Sequence, residues 1–222
     1  MTALIVGFTG RIGSGKSTAC KILKEQLGKL GIVSAIMDCD SLFKQHVSKD
    51  PLYMKSSKVA NGWDNKKPLK IEDVIRLMNR MTIRRYSQFI HNVNFHMYPV
   101  IVDWINNTNA DVIIIESALL LDTPLAFQCD NILEIIVSRA VREKRALLRD
   151  KGIRTPESTI ELLDFQEKYL KFQYRSTINM NKTKIIKQYT VRDDKDTEYV
   201  ELYTFLAEYS KKINQKIIEK GN

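Results

Sequence analysis

The sequence predicts an α/β fold of three layers, in which helices cover both faces of a parallel β-sheet. Short apolar runs typical of buried strands alternate along the chain with longer segments of helical periodicity. This alternation favours a parallel sheet, because parallel strands must be joined by long crossovers, usually helices. The predicted strands lie at 3–9, 32–37, 112–116, 132–137 and 183–187, and the predicted helices at 16–30, 139–150, 157–175 and 197–219.

A segment of different character interrupts the alternation after the second strand. Residues 41–108 contain no clear strand, and helical patterns recur around 71–81, 83–95 and 99–106. We therefore predict a helical insertion within a single domain of residues 1–222, a length that suits one domain. The C-terminal segment 190–222 is predicted to be mainly helical, with an apolar face that includes Leu202, Leu206, Tyr209 and Ile213.

The composition is that of a globular protein with an anionic partner. Apolar residues make up 44% and charged residues 27% of the 222 residues, which excludes a fibre or a disordered tail. The 35 Lys and Arg residues against 26 Asp and Glu residues give a net charge of +9, which fits nucleic acid, membrane or phosphorylated small molecules equally well. The cysteines form no CxxC pair and are odd in number, which argues against a zinc site and a disulfide framework.

Targeting signals are not recognisable in the sequence. The N-terminal apolar run is short and lacks a basic region, and no run approaches about 20 apolar residues. No nucleic-acid-binding module or aromatic–basic repeat is recognisable either. We therefore expect a cytoplasmic protein without a nucleic-acid or membrane partner.

The strongest motif is a glycine-rich loop between the first strand and the first helix. Residues 10–17 read Gly-Arg-Ile-Gly-Ser-Gly-Lys-Ser and fit the pattern GxxxxGK[ST]. Glycines let successive backbone N–H groups turn inward around an anion, and the helix start adds its positive dipole end. Lys16 would reach the β- and γ-phosphates, and the Ser17 hydroxyl would ligate Mg²⁺. The motif predicts binding of a nucleoside triphosphate on a P-loop NTPase fold.

Carboxylates follow two of the predicted strands. Asp38 and Asp40 come just after the second strand, and Glu116 closes the strand 112–116, with Asp122 a few residues on. Ligands of parallel sheets bind beyond the carboxyl ends of the strands. One of these acids is therefore a candidate base for an attacking hydroxyl and another a candidate ligand of Mg²⁺. Two alternatives stay open: Asp40 caps the following helix, and Asp38 orients a basic side chain.

Arginines recur on one face of the helix predicted over 139–150. Such a face, with the loop that follows, is suited to close over a phosphoryl group and stabilise its transition-state charge. We expect one or two of them to be functional, with Arg145 and Arg149 the best candidates, and the remainder to form a solvated basic face. The stripe consists of Arg139, Arg142, Arg145 and Arg149.

Taken in order, these motifs resemble the dephospho-CoA kinase family over roughly residues 3–187. The family's TGxIGSGKS loop corresponds to Thr9–Ser17, and its D-x-D to Asp38-Cys39-Asp40. Further correspondences are Tyr98-Pro99 at an HP dipeptide, the segment Glu116–Asp122, Lys144-Arg145, Arg149-Asp150 and Phe165-Gln166. Three positions depart from the family pattern. Arg11 stands where the family commonly has glycine, Tyr98 stands where it has the histidine of the HP dipeptide, and Ala118 stands where it has a proline.

The resemblance implies an ATP-dependent kinase that phosphorylates the ribose 3′-hydroxyl of dephospho-CoA, the last step of coenzyme A biosynthesis. It implies that Asp40 is the general base, that residues 41–108 bind the acceptor, and that Arg145 and Arg149 belong to a lid over 139–157. ATP and Mg²⁺ are the implied cofactors, with Ser17 and Glu116 as the metal ligands we expect. The expected ATP-binding residues are Gly10, Gly13, Ser14, Gly15, Lys16, Ser17, Thr18 and, near the adenine, Asn181.

Two other functions remain as alternatives. A nucleoside or nucleotide kinase would share the phosphate loop and the basic lid. A nucleotide-dependent regulatory protein would use the basic surface without phosphoryl transfer, and the acid after the second strand argues against it. We expect the protein to act as a monomer or weak homo-oligomer on a small-molecule substrate.

Overall fold

A five-stranded parallel sheet forms the centre of the computed structural model, which describes residues 3–45, 83–170, 185–191 and 196–221. The strands are β1 (Leu4–Thr9), β2 (Ser34–Asp38), β3 (Val112–Glu116), β4 (Asn131–Val137) and β5 (Ile185–Val191). Their order across the sheet is β2-β3-β1-β4-β5, and every pair is parallel. The central position of β1 places the loop that follows it in the middle of the sheet's carboxyl edge.

Helices connect these strands and account for the rest of the described fold. Two short 3-10 helices, Leu120–Asp122 and Pro124–Gln128, lie between β3 and β4. The α-helices are α1 (Lys16–Lys29), α2 (Cys39–Gln45), α3 (Ile83–Asn107), α4 (Arg139–Asp150), α5 (Pro156–Tyr169) and α6 (Asp196–Gly221).

The two faces of the sheet bury two separate apolar clusters. Along β3, Val112 and Ile114 belong to the cluster beneath α1 and α6, whereas Ile113 and Ile115 belong to the cluster beneath α3 and the 3-10 helices. All four side chains are fully buried. This double burial explains the uninterrupted apolar strand, since a parallel sheet is covered on both faces. The predicted three-layer α/β/α fold with a parallel sheet is confirmed.

Helix α3 differs from the sequence prediction. The patterns around 83–95 and 99–106 form one helix that continues through Pro99. Met97 and Ile101, four residues apart, are both buried against the sheet. Their common apolar face holds the helix together across the proline, whose own ring is exposed. The helix predicted at 71–81 lies outside the described residues.

Smaller corrections concern element ends. Within the described residues the last strand covers Ile185–Val191 and so continues past the predicted end at 187, and α5 begins at Pro156 and ends at Tyr169 rather than near 175. Thr155 caps α5 by accepting a hydrogen bond from the Ser158 N–H, which explains its start.

The C-terminal helix α6 packs on α1, the helix that follows the glycine-rich loop. Leu206 and Ile213 of α6 are buried in the same cluster as Leu23 and Leu27 of α1. At the exposed end of this contact, the Lys29 ammonium donates to the Tyr203 hydroxyl at 2.6 Å. Within the described ranges, no helix combines the length and the apolar run that a bilayer crossing requires.

The packing of α6 on α1 generates a stability prediction. Leu206→Ala removes a fully buried side chain and leaves a cavity, so we expect the free energy of unfolding to fall by about 2–5 kcal/mol. Val200→Ala on the same helix is the matched control, since Val200 is 66% exposed. Denaturant unfolding measures both variants, and equal stabilities would contradict a shared core between α1 and α6.

Candidate active site

The glycine-rich loop curls between β1 and α1 with three glycines in the left-handed region. The φ angles of Gly10, Gly13 and Gly15 are 145°, 77° and 88°. At Gly10 a Cβ atom would lie 2.5 Å from the Ile135 carbonyl oxygen, and at Gly13 it would lie 2.5 Å from the Arg142 carbonyl oxygen. The loop therefore rests directly on the backbones of β4 and α4, and only glycine fits at these two points.

Lys16 opens α1 at the end of this loop. Its ammonium donates to the Arg11 carbonyl oxygen at 3.4 Å, across the mouth of the loop. Burial lowers the pKa of Lys16, and the negative charges of Glu116 and Asp40 oppose that effect. The loop and the acids that follow the strands therefore meet at Lys16, whose ammonium is attracted by the carboxylates of Glu116 and Asp40.

Ser17 and Glu116 are in direct contact. The Ser17 hydroxyl donates to Glu116 Oε1 at 2.5 Å, because β3 neighbours β1 and its last residue lies opposite Phe8. Burial raises the pKa of Glu116, while the bond from Ser17 and the charge of Lys16 lower it. Two side chains with oxygen atoms are thus in contact at the start of α1.

Asp38 and Asp40 have different local roles. Asp38 Oδ1 accepts from the N–H groups of Asp40 and Ser41 at 3.0 and 3.3 Å, and Asp38 Oδ2 accepts from the Ser41 hydroxyl at 2.7 Å. Asp38 therefore caps α2, and the alternative that Asp40 is the cap is wrong. The reason is that β2 extends to Asp38 and the helix begins immediately after it.

Asp40 lies in the first turn of α2 with an exposed side chain. No hydrogen bond or ion pair joins its carboxylate to another residue in the described part of the chain. Asp38 and Glu116 lie opposite each other in the β2–β3 register, so α2 begins beside the end of β3. The Asp40 carboxylate is therefore accessible at the same edge as Lys16.

The arginine stripe of α4 divides into two halves. Arg139 pairs with Asp164 of α5 at 2.8 Å, and Arg142 pairs with Glu167 of α5 and donates to the Val137 carbonyl oxygen at 3.1 Å. Arg142 is only 3% exposed. The expectation of a solvated face is therefore wrong for this residue, because the acids of α5 draw it into the contact between the two helices.

The other half of the stripe faces the loop and its surroundings. An Arg145 guanidinium nitrogen lies 3.8 Å from where a Cβ of Gly15 would be, and the positive charge of Arg149 lowers the pKa of Lys16. Arg149 also pairs with Asp150 at 2.7 Å. Both arginines chosen from the sequence thus lie near the loop that Lys16 closes.

Asp150 organises the turn between α4 and α5, a role that the sequence did not indicate beyond its correspondence to a family motif. Burial alone would raise its pKa, but the bond and charge of Arg149 and the charge of Arg154 hold that pKa below its ordinary value. The Thr159 hydroxyl donates to the same carboxylate at 3.2 Å. Its only sequence signal was the Arg-Asp dipeptide.

The remaining expected residues are distributed as follows. Ser14 is buried within the loop, and Thr18 is half-buried in the first turn of α1. Asn181 lies outside the described residues. Tyr98, at the place of the family's histidine, accepts a hydrogen bond from the Gln128 amide, so its hydroxyl has a local partner in the second 3-10 helix.

A glycine loop that leads into a lysine and a serine, with a strand-end carboxylate bonded to that serine, is the arrangement of a P-loop nucleotide-binding protein. The sequence model of the dephospho-CoA kinase family matches residues 4–166 of this chain. The chain therefore belongs to this family. The kinase and family predictions are confirmed.

Individual relatives support the assignment at modest identity. The dephospho-CoA kinase of Porphyromonas gingivalis is 28% identical over 66% of this chain and 70% of its own length. A uridine kinase of Clostridium perfringens is 30% identical over 71% of this chain and 74% of its own length. The crystal structure of a Thermus thermophilus protein is similar with a TM-score of 0.62 and 19% identity, over 94% of this chain and 98% of that one, and shows the fold alone.

The glycine geometry yields a prediction for nucleotide binding. Gly13→Ala forces a side chain into the left-handed region and against the Arg142 carbonyl, so we expect ATP affinity to fall at least about tenfold. Gly28→Ala is the control, because a Cβ there meets nothing within 4 Å. Calorimetric titration with ATP compares the two, and equal affinities would show that the loop tolerates a shifted backbone.

Proposed function

We propose that the protein transfers the γ-phosphate of ATP to the ribose 3′-hydroxyl of dephospho-CoA and so forms coenzyme A. The observation that carries the proposal is the family match over residues 4–166, which includes all the expected site residues except Asn181. The loop, the accessible carboxylate and the arginines near Lys16 supply the parts that phosphoryl transfer needs. Residues 1–222 then form a single kinase domain in which 41–108 bind the acceptor and 139–157 close as a lid.

The loop is proposed to hold the triphosphate. Its inward N–H groups and the start of α1 offer a positive cradle, and Lys16 adds a cation where the β- and γ-phosphates lie. Asn181 is proposed to lie by the adenine, as the family resemblance implies. The binding residues of the loop are Gly10, Gly13, Ser14, Gly15, Lys16, Ser17 and Thr18.

Ser17 and Glu116 are proposed to hold Mg²⁺. Both offer oxygen atoms, which Mg²⁺ prefers, and they are in contact at the start of α1. The half-buried Glu116 carboxylate, whose pKa is raised by burial, is suited to a cation as neighbour. When bound, the ion would neutralise charge on the phosphates.

Asp40 is proposed as the base that accepts the proton of the 3′-hydroxyl. Its carboxylate is exposed at the carboxyl edge of the sheet, and the capping role falls to Asp38 instead. Arg145 and Arg149 are proposed to stabilise the charge on the transferring phosphoryl group, because Arg145 lies beside Gly15 and the charge of Arg149 acts on Lys16.

The two aspartates provide a matched test of the base. Asp40→Asn should lower kcat by about a hundredfold or more while ATP affinity is kept, because the amide cannot accept the proton. Asp38→Asn should lose far less activity, because asparagine caps a helix as well as aspartate does. Steady-state kinetics with ATP binding measured separately checks both, and a fully active Asp40→Asn enzyme would exclude this residue as the base.

A nucleoside kinase is the second candidate, because uridine kinases of Clostridium perfringens match this chain at 29–30% identity. An acceptor panel of dephospho-CoA, uridine, cytidine and adenosine with ATP separates the two functions. We expect kcat/KM for dephospho-CoA to exceed that for every nucleoside by about a hundredfold or more, since a site built for one acceptor discriminates at this scale. A preference for uridine would establish the second candidate.

A further inference from the structure

The first half of the phosphate loop is held from outside by the C-terminal end of α5. Gln166 Oε1 accepts a hydrogen bond from the Ile12 N–H at 2.6 Å, and Glu167 forms an ion pair with the Arg11 guanidinium. Two consecutive loop residues are thus fixed by two consecutive residues of α5.

Glu167 also ties the loop to α4. Its carboxylate pairs with Arg142, which is buried and donates to the Val137 carbonyl at the end of β4. The Arg142 carbonyl is the group on which Gly13 rests. We call the set Arg11, Ile12, Arg142, Gln166 and Glu167 the clasp. A cavity beside the loop is lined by Gly10 and three clasp residues, Arg11, Arg142 and Glu167, so the clasp borders space next to the phosphate site.

We propose that Gln166 and Glu167 are positioning residues for the nucleotide, which act through Ile12 and Arg11 to keep the loop in its phosphate-binding shape. A loop with three left-handed glycines has many conformations open to it, and ordering it on binding costs affinity. A loop that is already ordered avoids that cost. The clasp supplies the order through side chains that are separate from the proposed phosphate ligands.

Two variants that leave the buried Arg142–Glu167 pair intact test this role. Arg11→Ala removes the loop's side of the ion pair, and Gln166→Leu removes the acceptor of the Ile12 N–H. Each should raise the Kd for the non-hydrolysable analogue adenylyl imidodiphosphate with Mg²⁺ about threefold to tenfold, the effect of one such bond. The kcat at saturating ATP should change by less than about twofold, because the transition-state groups remain.

Asp164→Asn is the matched control. Asp164 joins the same two helices through Arg139 at 2.8 Å, and among the described residues it forms no ion pair or hydrogen bond with the loop. The Kd of the Asp164→Asn variant for adenylyl imidodiphosphate should equal that of the unchanged protein. If the clasp were only structural, all three variants would lower the melting temperature and none would alter the Kd; that result would overturn the proposal.

A double-mutant cycle shows whether Arg11 and Glu167 act as a unit. Glu167→Gln alone and Arg11→Ala alone should each weaken nucleotide binding, and the combined variant should lose less than the product of the two effects. Independent effects that multiply would count against the clasp. The inference rests on the proposed function only in taking ATP as the nucleotide. Because binding is measured without acceptor, rejection of dephospho-CoA in the acceptor panel would leave this test valid.

Discussion

The close approach of the phosphate loop to the backbones of β4 and α4 is the constraint on which the candidate site depends. Gly10 lies against the Ile135 carbonyl and Gly13 against the Arg142 carbonyl, at distances that leave no space for a side chain. This contact fixes where the loop ends and therefore where Lys16 and Ser17 begin α1. A loop pressed on its neighbours in this way has its path fixed by backbone packing.

The parallel sheet supplies the second half of the site. Because β3 lies between β2 and β1, Glu116 has Asp38 on one side and Phe8 on the other. The end of β3 thus brings Glu116 next to Ser17 and next to the start of α2, all at the carboxyl edge of the sheet. Burial at this edge also shifts the pKa values of the two charged groups. It disfavours the charged form of each, so the pKa of Lys16 falls and the pKa of Glu116 rises.

Features formed by residues close together in the sequence could be predicted, whereas contacts between residues far apart in the sequence could not. The loop was evident because its residues are consecutive and its strand and helix flank it. The roles of Asp38 and Asp40 were less accessible, because β2 ends one residue beyond its apolar run and that residue, Asp38, is the one that caps α2. The burial of Arg142 could not be foreseen, since its partner Glu167 is 25 residues away on a separate helix.

The division of the arginine stripe bears on how charge is used at the site. Arg139 and Arg142 are compensated by acids of α5, so their positive charge is largely neutralised where the two helices meet. Arg145 and Arg149 lie farther along α4, toward the turn that Asp150 organises. Arg142 is thus held beside the loop by Glu167, which also pairs with Arg11, while Arg149 pairs with Asp150 at the other end of α4. The net charge of +9 indicates an anionic partner, and the ion pairs show that Arg139, Arg142 and Arg149 also meet acids within the protein.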